Sequence, residues 1–258
     1  PSARVDAKVA GYRSYLQGVR GLAPSTATNH LITVTEFLEG HYYERNPARL
    51  AALTRADLEA FVCKVGQRVG RGRLQHVVAH LRSFLRFLAV EGDVPLGLDA
   101  QIDTPRLYRG EQLPRSLPWE SVSALLRSID RSTPIGRRDY AMFLLIATYG
   151  LRACDVAALT LDDIEWRAGR IRVPQRKTAN PLIFPLTDEV GASLVDYIEN
   201  GRSTWPCREV FLRCEAPQGP VRPSTVASAF RKWSRRSGLP IPFKGPHCLR
   251  HSYAVHLL

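Results

Sequence analysis

The chain has 258 residues, with 36 basic against 24 acidic side chains and a formal net charge of +12 at pH 7. Its hydrophobic content of 45% is enough to fill the cores of two ordinary domains, and no apolar run approaches the ~20 residues that a membrane-spanning helix needs. The composition therefore excludes a membrane-embedded protein and favours a polyanion as partner.

The cysteines and the first residues indicate the compartment. Five cysteines form no CxxC pair, and their odd number argues against a disulfide framework, so we expect a reducing cytoplasm. No charged and then apolar leader follows Pro1, which predicts a trimmed, non-secretory start. A zinc site built from Cys207, Cys214, His247 and Cys248 would not have any usual ligand spacing, so we expect no metal there.

The first hundred residues predict four helices and a small domain over residues 1–103. Helices are expected over 4–19 and 25–39, and a capping box at Thr54 begins a third. A glycine break over 70–72 is expected to end the third helix, and a fourth helix is expected from Arg73 to Val90. Arginines in the break and on the polar side of this helix are either ordinary surface residues or contacts to DNA phosphates: Arg71, Arg73, Arg82 and Arg86.

Residues 104–118 predict a linker that connects two domains. Prolines and arginines are interspersed along it, which is typical of an extended basic connector: Pro105, Arg106, Arg109, Pro114, Arg115 and Pro118.

A second domain is predicted over residues 119–258. Helices are expected over 119–129 and 137–149, and the apolar run from Ala141 to Ala147 predicts that the second is buried on most sides. Gly150 should end it, so that Arg152 lies where the next helix begins and backbone N–H groups are available. Asp155, one turn further, could orient the Arg152 guanidinium or simply pair with it.

A β-hairpin follows, with strands expected over 170–174 and 182–186 and Lys177 in the turn. In isolation Lys177 would be an ordinary exposed turn lysine, but a flexible ammonium there could also enter the DNA minor groove and protonate a leaving oxygen. Asp162, Asp163 and Glu165 are adjacent on one turn instead of converging from separate segments, so we interpret them as capping or surface residues, not metal ligands.

The remaining elements are helices over 188–199 and 224–237, with a short strand expected over 210–213 between them. The second helix is basic and amphipathic, and its cations are either a solvated face or contacts to DNA: Arg231, Lys232, Arg235 and Arg236.

The last stretch carries the sharpest signal. A helix beginning near His247 places His247 and Arg250 one turn apart on one face. Two arginines from separate segments can hold the oxygens of a phosphodiester that is becoming pentacoordinate, so we group Arg152, Arg250 and His247 as a phosphate clamp. Tyr253 belongs to the same helix as Arg250, so it cannot move independently into line with the phosphate as a nucleophile would. His251 and His256 are interpreted as packing residues.

The segment from Tyr149 to Asp155, Lys177 on its hairpin and the HxxR pair of His247 and Arg250 together resemble the tyrosine recombinases, or phage integrase family. The resemblance covers nearly the whole chain. It implies a mainly α fold with a small β-sheet, in which a four-helix SAM-like core-binding domain and an α+β catalytic domain form a C-shaped clamp on DNA.

The resemblance also implies an activity, namely site-specific strand exchange through a 3′-phosphotyrosyl intermediate and a Holliday junction. Arg152 and Arg250 would neutralise the transition state, Lys177 would protonate the leaving oxygen, His247 would assist proton transfer, and Asp155 would support Arg152. No metal or nucleotide cofactor is implied. The partners would be double-stranded DNA with recombination sites and further copies of the chain in a tetramer, in the bacterial cytoplasm at the nucleoid, without a membrane.

One expected part is missing. Relatives carry the nucleophilic tyrosine some tens of residues beyond the HxxR arginine, whereas this chain continues only to Leu258, so we expect a truncated catalytic domain that binds DNA and cannot cut it. A type IB topoisomerase-like enzyme and a non-catalytic DNA-binding protein of the same fold remain as alternatives.

Overall fold

The computed structural model of the chain describes residues 3–108, 115–174 and 181–257. It divides into two compact units, Pro1–Gln112 and Leu113–Leu258. Within the described ranges, no helix combines the length and the apolar character that crossing a membrane requires. The expected fold class is confirmed, since each unit is mainly helical and a small sheet lies in the second.

The first unit contains the four expected helices: α1 (Ala3–Ser14), α2 (Pro24–Gly40), α3 (Arg55–Gly66) and α4 (Arg71–Val90). A π-helical turn over Tyr15–Val19 extends α1, and 3-10 turns occur at Pro47–Arg49 and Leu98–Gln101. The expected glycine break was misplaced. The chain leaves α3 after Gly66, and Gly70 is the N-cap of α4. The fourth helix therefore begins at Arg71, inside the expected break, and not at Arg73.

A local hydrogen-bond motif defines where α3 begins. Asp57 accepts hydrogen bonds from the backbone N–H of Thr54 at 3.0 Å and from its hydroxyl at 2.6 Å, and the Thr54 hydroxyl accepts the Asp57 N–H at 3.3 Å. This is the expected capping box. The core then forms along α4, where one stripe is fully buried against α1 and α2: Val78, Leu81, Phe84, Leu85 and Leu88.

Two histidine rings contact each other in this first unit. The rings of His30 and His80 have centroids 4.1 Å apart, and the His80 Nδ1 atom is 2.9 Å from the Thr33 hydroxyl. The Tyr12 hydroxyl is 3.1 Å from Nδ1 of His30. Burial, together with the charges of His30, Arg73 and His76, lowers the pKa of His80 to about 4.

This pair predicts acid sensitivity. Burial and the charge of Arg20 also lower the pKa of His30, so the unfolded chain binds more protons than the folded one. The free energy of unfolding should therefore be fully present above pH ~6.5, the ordinary histidine value, and should fall as the pH drops towards 4. Urea unfolding of the chain between pH 7 and 4.5 measures this slope.

Substitutions on the same helix provide the control for this prediction. His80→Gln should flatten the pH dependence, whereas His76→Gln changes an exposed histidine one turn away and should alter the slope much less, because His76 makes the smallest contribution to the lowered pKa of His80. An identical slope in the parent and in His80→Gln would contradict the assignment.

The second unit contains α5 (Trp119–Arg127), α6 (Pro134–Tyr149), α7 (Ala153–Ala158), α8 (Asp188–Asn200), α9 (Pro223–Arg236) and α10 (His247–His256). Helix α6 lies at its centre and packs against each of the other five. The expected burial is confirmed, since all residues from Ala141 to Ala147 are at most 3% exposed. The helix begins at Pro134, earlier than expected, because the Thr133 hydroxyl accepts the Gly136 N–H at 3.1 Å.

The small sheet has the order β1-β2-β3, with all pairs antiparallel: β1 (Ile164–Glu165), β2 (Arg170–Val173) and β3 (Leu182–Pro185). The two strands of the predicted hairpin are confirmed, with Ile171 opposite Phe184. The short strand β1 was missed because two residues leave no periodicity to read.

The strand expected over 210–213 is wrong. The chain forms only isolated bridges there, Thr160 with Glu209 and Leu212 with Pro220. Arginine side chains occupy carbonyl oxygens of this stretch, since Arg202 donates to Val210 at 3.1 Å and Arg138 donates to Leu212 at 3.2 Å. A side chain thus satisfies acceptors that a neighbouring strand would otherwise need.

Candidate active site

A tight corner between α6 and α7 builds the first half of the site. Gly150 ends α6 in the left-handed conformation, with φ 62° and ψ 29°. A Cβ atom there would lie 2.6 Å from Cδ1 of Tyr253, so only glycine fits both the backbone and the space. The corner makes Arg152 the N-cap residue of α7.

Asp155 holds Arg152 mainly through the backbone. The Asp155 Oδ2 atom accepts the Arg152 N–H at 3.2 Å and lies 3.9 Å from Nη1 of the same residue. The Arg152 side chain is still 40% exposed, whereas that of Asp155 is 5% exposed. The guanidinium therefore keeps donors directed at solvent, where an anion can reach them.

Cys154 lies beside the same carboxylate. Its Sγ atom is 3.6 Å from Oδ1 of Asp155, and burial together with the Asp155 charge raises the pKa of the thiol. The thiol is therefore protonated at neutral pH and serves as a weak donor to Asp155 and not as a nucleophile.

Helix α10 supplies the second half of the site. Nη1 of Arg250 donates a hydrogen bond to the carbonyl oxygen of Gly150, which brings Arg250 to the corner that carries Arg152. Partial burial and the like charge of Arg152 lower the pKa of Arg250. An anion between them would relieve this repulsion.

His247 is exposed in the first turn of α10 and contacts His251 edge to face, with ring centroids 4.3 Å apart. Partial burial lowers the pKa of His247, and so do the charges of His251, Arg250, Arg152 and Arg115. The imidazole is therefore neutral at pH 7 and able to accept a proton.

This geometry brings together three of the predicted catalytic residues, Arg152, His247 and Arg250, with Asp155 behind them. Two cations at one corner of the fold can stabilise charge that develops on phosphate oxygens, and a neutral imidazole on the same helix as Arg250 can take the proton of an attacking hydroxyl. Lys177 lies outside the described residues. Sequence reasoning missed Arg115, which was interpreted only as a linker charge although its charge acts on His247.

The predicted DNA-contacting residues have different environments. On α9, Arg235 is exposed, Arg231 donates to the Ser228 hydroxyl at 2.8 Å, and Lys232 and Arg236 lie over the Trp233 ring at 5.1 and 5.6 Å. These four remain on the surface of the second unit or close to it.

In the first unit, two of the four arginines are used internally. Arg82 donates to the Ile102 carbonyl, and Arg86 pairs with Asp99 at 2.8 Å, so both fasten the chain after α4 to that helix. Arg71 and Arg73 are exposed near its N-terminus.

The neighbouring carboxylates have structural partners. Asp163 accepts from the N–H and the hydroxyl of Thr160 at 2.8 and 2.6 Å, and Glu165 pairs with Arg170 at 2.5 Å. Asp162 pairs with Arg208. In the part of the chain that the structure describes, no three His, Cys, Asp or Glu residues are grouped as metal ligands.

Comparison with known proteins shows the family of the chain. The model of the phage integrase family matches residues 115–258, and that of the phage integrase N-terminal SAM-like domain matches residues 9–92. The chain belongs to the phage integrase family. It is 40% identical over 259 residues to y4rA of Sinorhizobium fredii, a protein described as an integrase/recombinase, covering 100% of this chain and 62% of y4rA.

Two further proteins are similar to this chain, one in sequence and one in fold. Tyrosine recombinase XerD of Pseudomonas putida is 34% identical over 182 residues, which is 69% of this chain and 59% of XerD. A lambda integrase fragment (residues 75–356), solved as a dimer bound to a COC′ core site, shares the fold, with a TM-score of 0.71 at 18% identity over 96% of this chain and 84% of that fragment. The chain spans about six-tenths of the length of the curated relatives y4rA and y4rF.

Proposed function

We propose that this chain is the core-binding and catalytic part of a tyrosine-type, site-specific DNA recombinase. The observation that carries the proposal is the hydrogen bond from Arg250 to the Gly150 carbonyl, because it joins Arg152 and Arg250 into one anion site beside the neutral His247. The Asp155 carboxylate lies against Arg152, yet the Arg152 side chain is still 40% exposed, so the pair keeps donors that suit a phosphodiester.

The proposed reaction has two transesterification steps. A tyrosine hydroxyl attacks the phosphorus, the bond to the 5′ oxygen breaks, and a 3′-phosphotyrosyl link forms. His247 takes the tyrosine proton and Lys177 gives one to the leaving oxygen, while Arg152 and Arg250 neutralise the charge on the non-bridging oxygens. The 5′ hydroxyl of a second duplex then attacks the phosphotyrosyl link and releases the tyrosine. Two rounds of this reaction exchange the strands through a Holliday junction without any cofactor.

The attacking tyrosine is proposed to lie outside residues 1–258. In the second unit, the hydroxyl groups of Tyr140 and Tyr149 donate to Glu189 and to the Pro185 carbonyl, and Tyr197 is fully buried. The ring of Tyr253 packs on Gly150, which prevents independent movement. These 258 residues alone should therefore bind DNA and not cut it.

A nicked suicide substrate tests this proposal. The full gene product should accumulate a covalent DNA adduct, residues 1–258 should form none, and Tyr253→Phe in the full product should leave the adduct yield unchanged. An adduct formed by residues 1–258, or lost on Tyr253→Phe, would show that the nucleophile is assigned wrongly.

Experiments with the full gene product also distinguish a recombinase from the two alternatives. Relaxation of plasmids without exchange between two sites would indicate a topoisomerase. Duplex binding by the full product without any adduct would indicate a non-catalytic DNA-binding protein.

Lys177 is proposed as the general acid because it lies in sequence between β2 and β3, and β3 contacts Tyr149, which precedes the Gly150 corner. Lys177→Ala should cut ordinary DNA slowly and should recover on a substrate with a 5′-phosphorothiolate at the cleaved bond, whose sulfur leaves without a proton. Arg176→Ala is the matched control. An equally inactive Lys177→Ala on both substrates would contradict the role.

The proposed partners are a specific duplex site and further copies of the protein. A lambda integrase tetramer bound to a Holliday junction has the same fold, with a TM-score of 0.71 over 97% of this chain. The exposed cations of α9 and the N-terminus of α4 are proposed to contact backbone phosphates. A tetramer on two duplexes is the assembly that strand exchange requires.

A further inference from the structure

The phosphate clamp has more positive charge around it than one scissile phosphate accounts for. Arg250 is joined to the corner that carries Arg152 by its hydrogen bond to the Gly150 carbonyl, and the charges of Arg115, Arg152 and Arg250 all lower the pKa of His247. One carboxylate, Asp155, acts on this group from behind. These three arginines and Asp155, all among the described residues, together carry a net charge of +2 that a substrate can match.

The backbone just before α5 is hydrogen-bonded to α10, two residues after Arg115. The Leu117 side chain is buried, and its N–H donates to the Ser252 hydroxyl at 2.7 Å. That hydroxyl in turn donates to the Cys248 carbonyl at 2.9 Å. Arg115 lies two residues before this anchor, beside the helix that carries His247.

Arg115 is available for a ligand. It is exposed, and within residues 3–108, 115–174 and 181–257 it forms no ion pair with a carboxylate. Arg250, by contrast, has one Nη atom on the Gly150 carbonyl, and Arg152 lies against Asp155. An arginine held near an active site by its backbone, with its side chain directed to solvent, is suited to an anion that arrives with the substrate.

We infer that Arg115 binds the phosphate next to the scissile one on the strand that is cut. Arg152 and Arg250 are already sufficient for the single charge of the scissile phosphodiester, and each neighbouring nucleotide brings a further charge at the spacing of the strand. Arg115 would thereby fix the register of the strand, so that the correct phosphodiester enters the clamp. The inference rests on the proposed recombinase function.

The experiment pairs a residue change with a substrate change. The full gene product and its Arg115→Ala variant are assayed for adduct formation on suicide duplexes that carry one neutral methylphosphonate next to the scissile phosphate, on either side in turn. The parent should lose about 10- to 100-fold in rate on one of these duplexes, which is the effect of one charge-assisted hydrogen bond. Arg115→Ala should show that loss on ordinary DNA and no further loss on the modified duplex.

Two controls keep the outcomes distinct. Arg127→Ala removes another exposed arginine of the same unit and should leave the rate within about twofold of the parent. Arg115→Lys keeps the charge and should recover part of the rate, which a folding defect would not allow.

Independent, multiplicative losses from Arg115→Ala and from each methylphosphonate would overturn the inference, as would an unchanged rate for Arg115→Ala. A parent protein that forms no adduct on ordinary DNA would instead count against the proposed function itself.

Discussion

Arg250→Ala in the full gene product should lower the rate of strand cleavage by about 1000-fold or more, with most of the duplex affinity retained. An arginine that stabilises the charge of a transferring phosphoryl group contributes this much in comparable reactions. Arg250 is one of two guanidinium groups at the corner of Gly150, and its alanine variant leaves Arg152 to neutralise the charge alone. Affinity changes little because many other cations contact the duplex.

The measurement is single-turnover adduct formation at saturating protein, together with equilibrium binding to the same duplex. Arg152→Ala should behave like Arg250→Ala, because the backbone N–H of residue 152 still donates its hydrogen bond to the Asp155 carboxylate after the side chain is removed. Arg235→Ala, an exposed change on α9, is the matched control and should affect binding more than cleavage. Cleavage by Arg250→Ala near the parent rate would remove Arg250 from the clamp.

The clamp could be predicted from sequence because its parts are local motifs. His247 and Arg250 share one helical face, and Gly150 ends α6 immediately before Arg152, so each half follows from helix geometry. What the sequence could not show is how the halves meet. The hydrogen bond from Arg250 to the Gly150 carbonyl joins residues 100 positions apart, and no sequence pattern predicted that contact.

Arg115 and the segment over 210–213 show the opposite case. Prolines around Arg115 indicated a linker, yet the Leu117 N–H and the Ser252 hydroxyl bind that stretch to α10. Apolar residues over 210–213 indicated a strand, but Arg202 donates to the carbonyl oxygen of Val210 at its start. In both places a single side chain from another element decided the backbone, and no periodicity records such a partner.

The polar residues inside α6 were also overlooked, because an apolar run dominates the pattern. Arg138 and Asp139 are adjacent, and neighbours on a helix do not ordinarily face each other. In the structure, however, Oδ1 of Asp139 accepts from Nε and Nη2 of Arg138 at 3.0 and 2.7 Å, and Oδ2 accepts from the Trp233 indole at 2.8 Å. Arg138 also donates to the Leu212 carbonyl at 3.2 Å.

Asp139→Ala should therefore lower the free energy of unfolding by about 3–5 kcal/mol, because it leaves a buried guanidinium without its counter-charge. The side chains of Arg138 and Asp139 are only 7% and 1% exposed, so water cannot replace the lost carboxylate. The Trp233 indole would lose its acceptor as well, which weakens the contact between α6 and α9. Urea unfolding at pH 7 measures the change.

Asp162→Ala is the matched control, because it makes the same substitution in an ion pair with Arg208 whose side chains are both 67% exposed. It should have little effect on stability, since water solvates both charges there. The double variant Arg138→Leu with Asp139→Leu should be more stable than Asp139→Ala, because it removes the unpaired charge together with its partner. If Asp139→Ala unfolds at the same urea concentration as Asp162→Ala, the pair does not connect α6 to α9, and the packing of apolar residues around α6 alone holds the clamp in place.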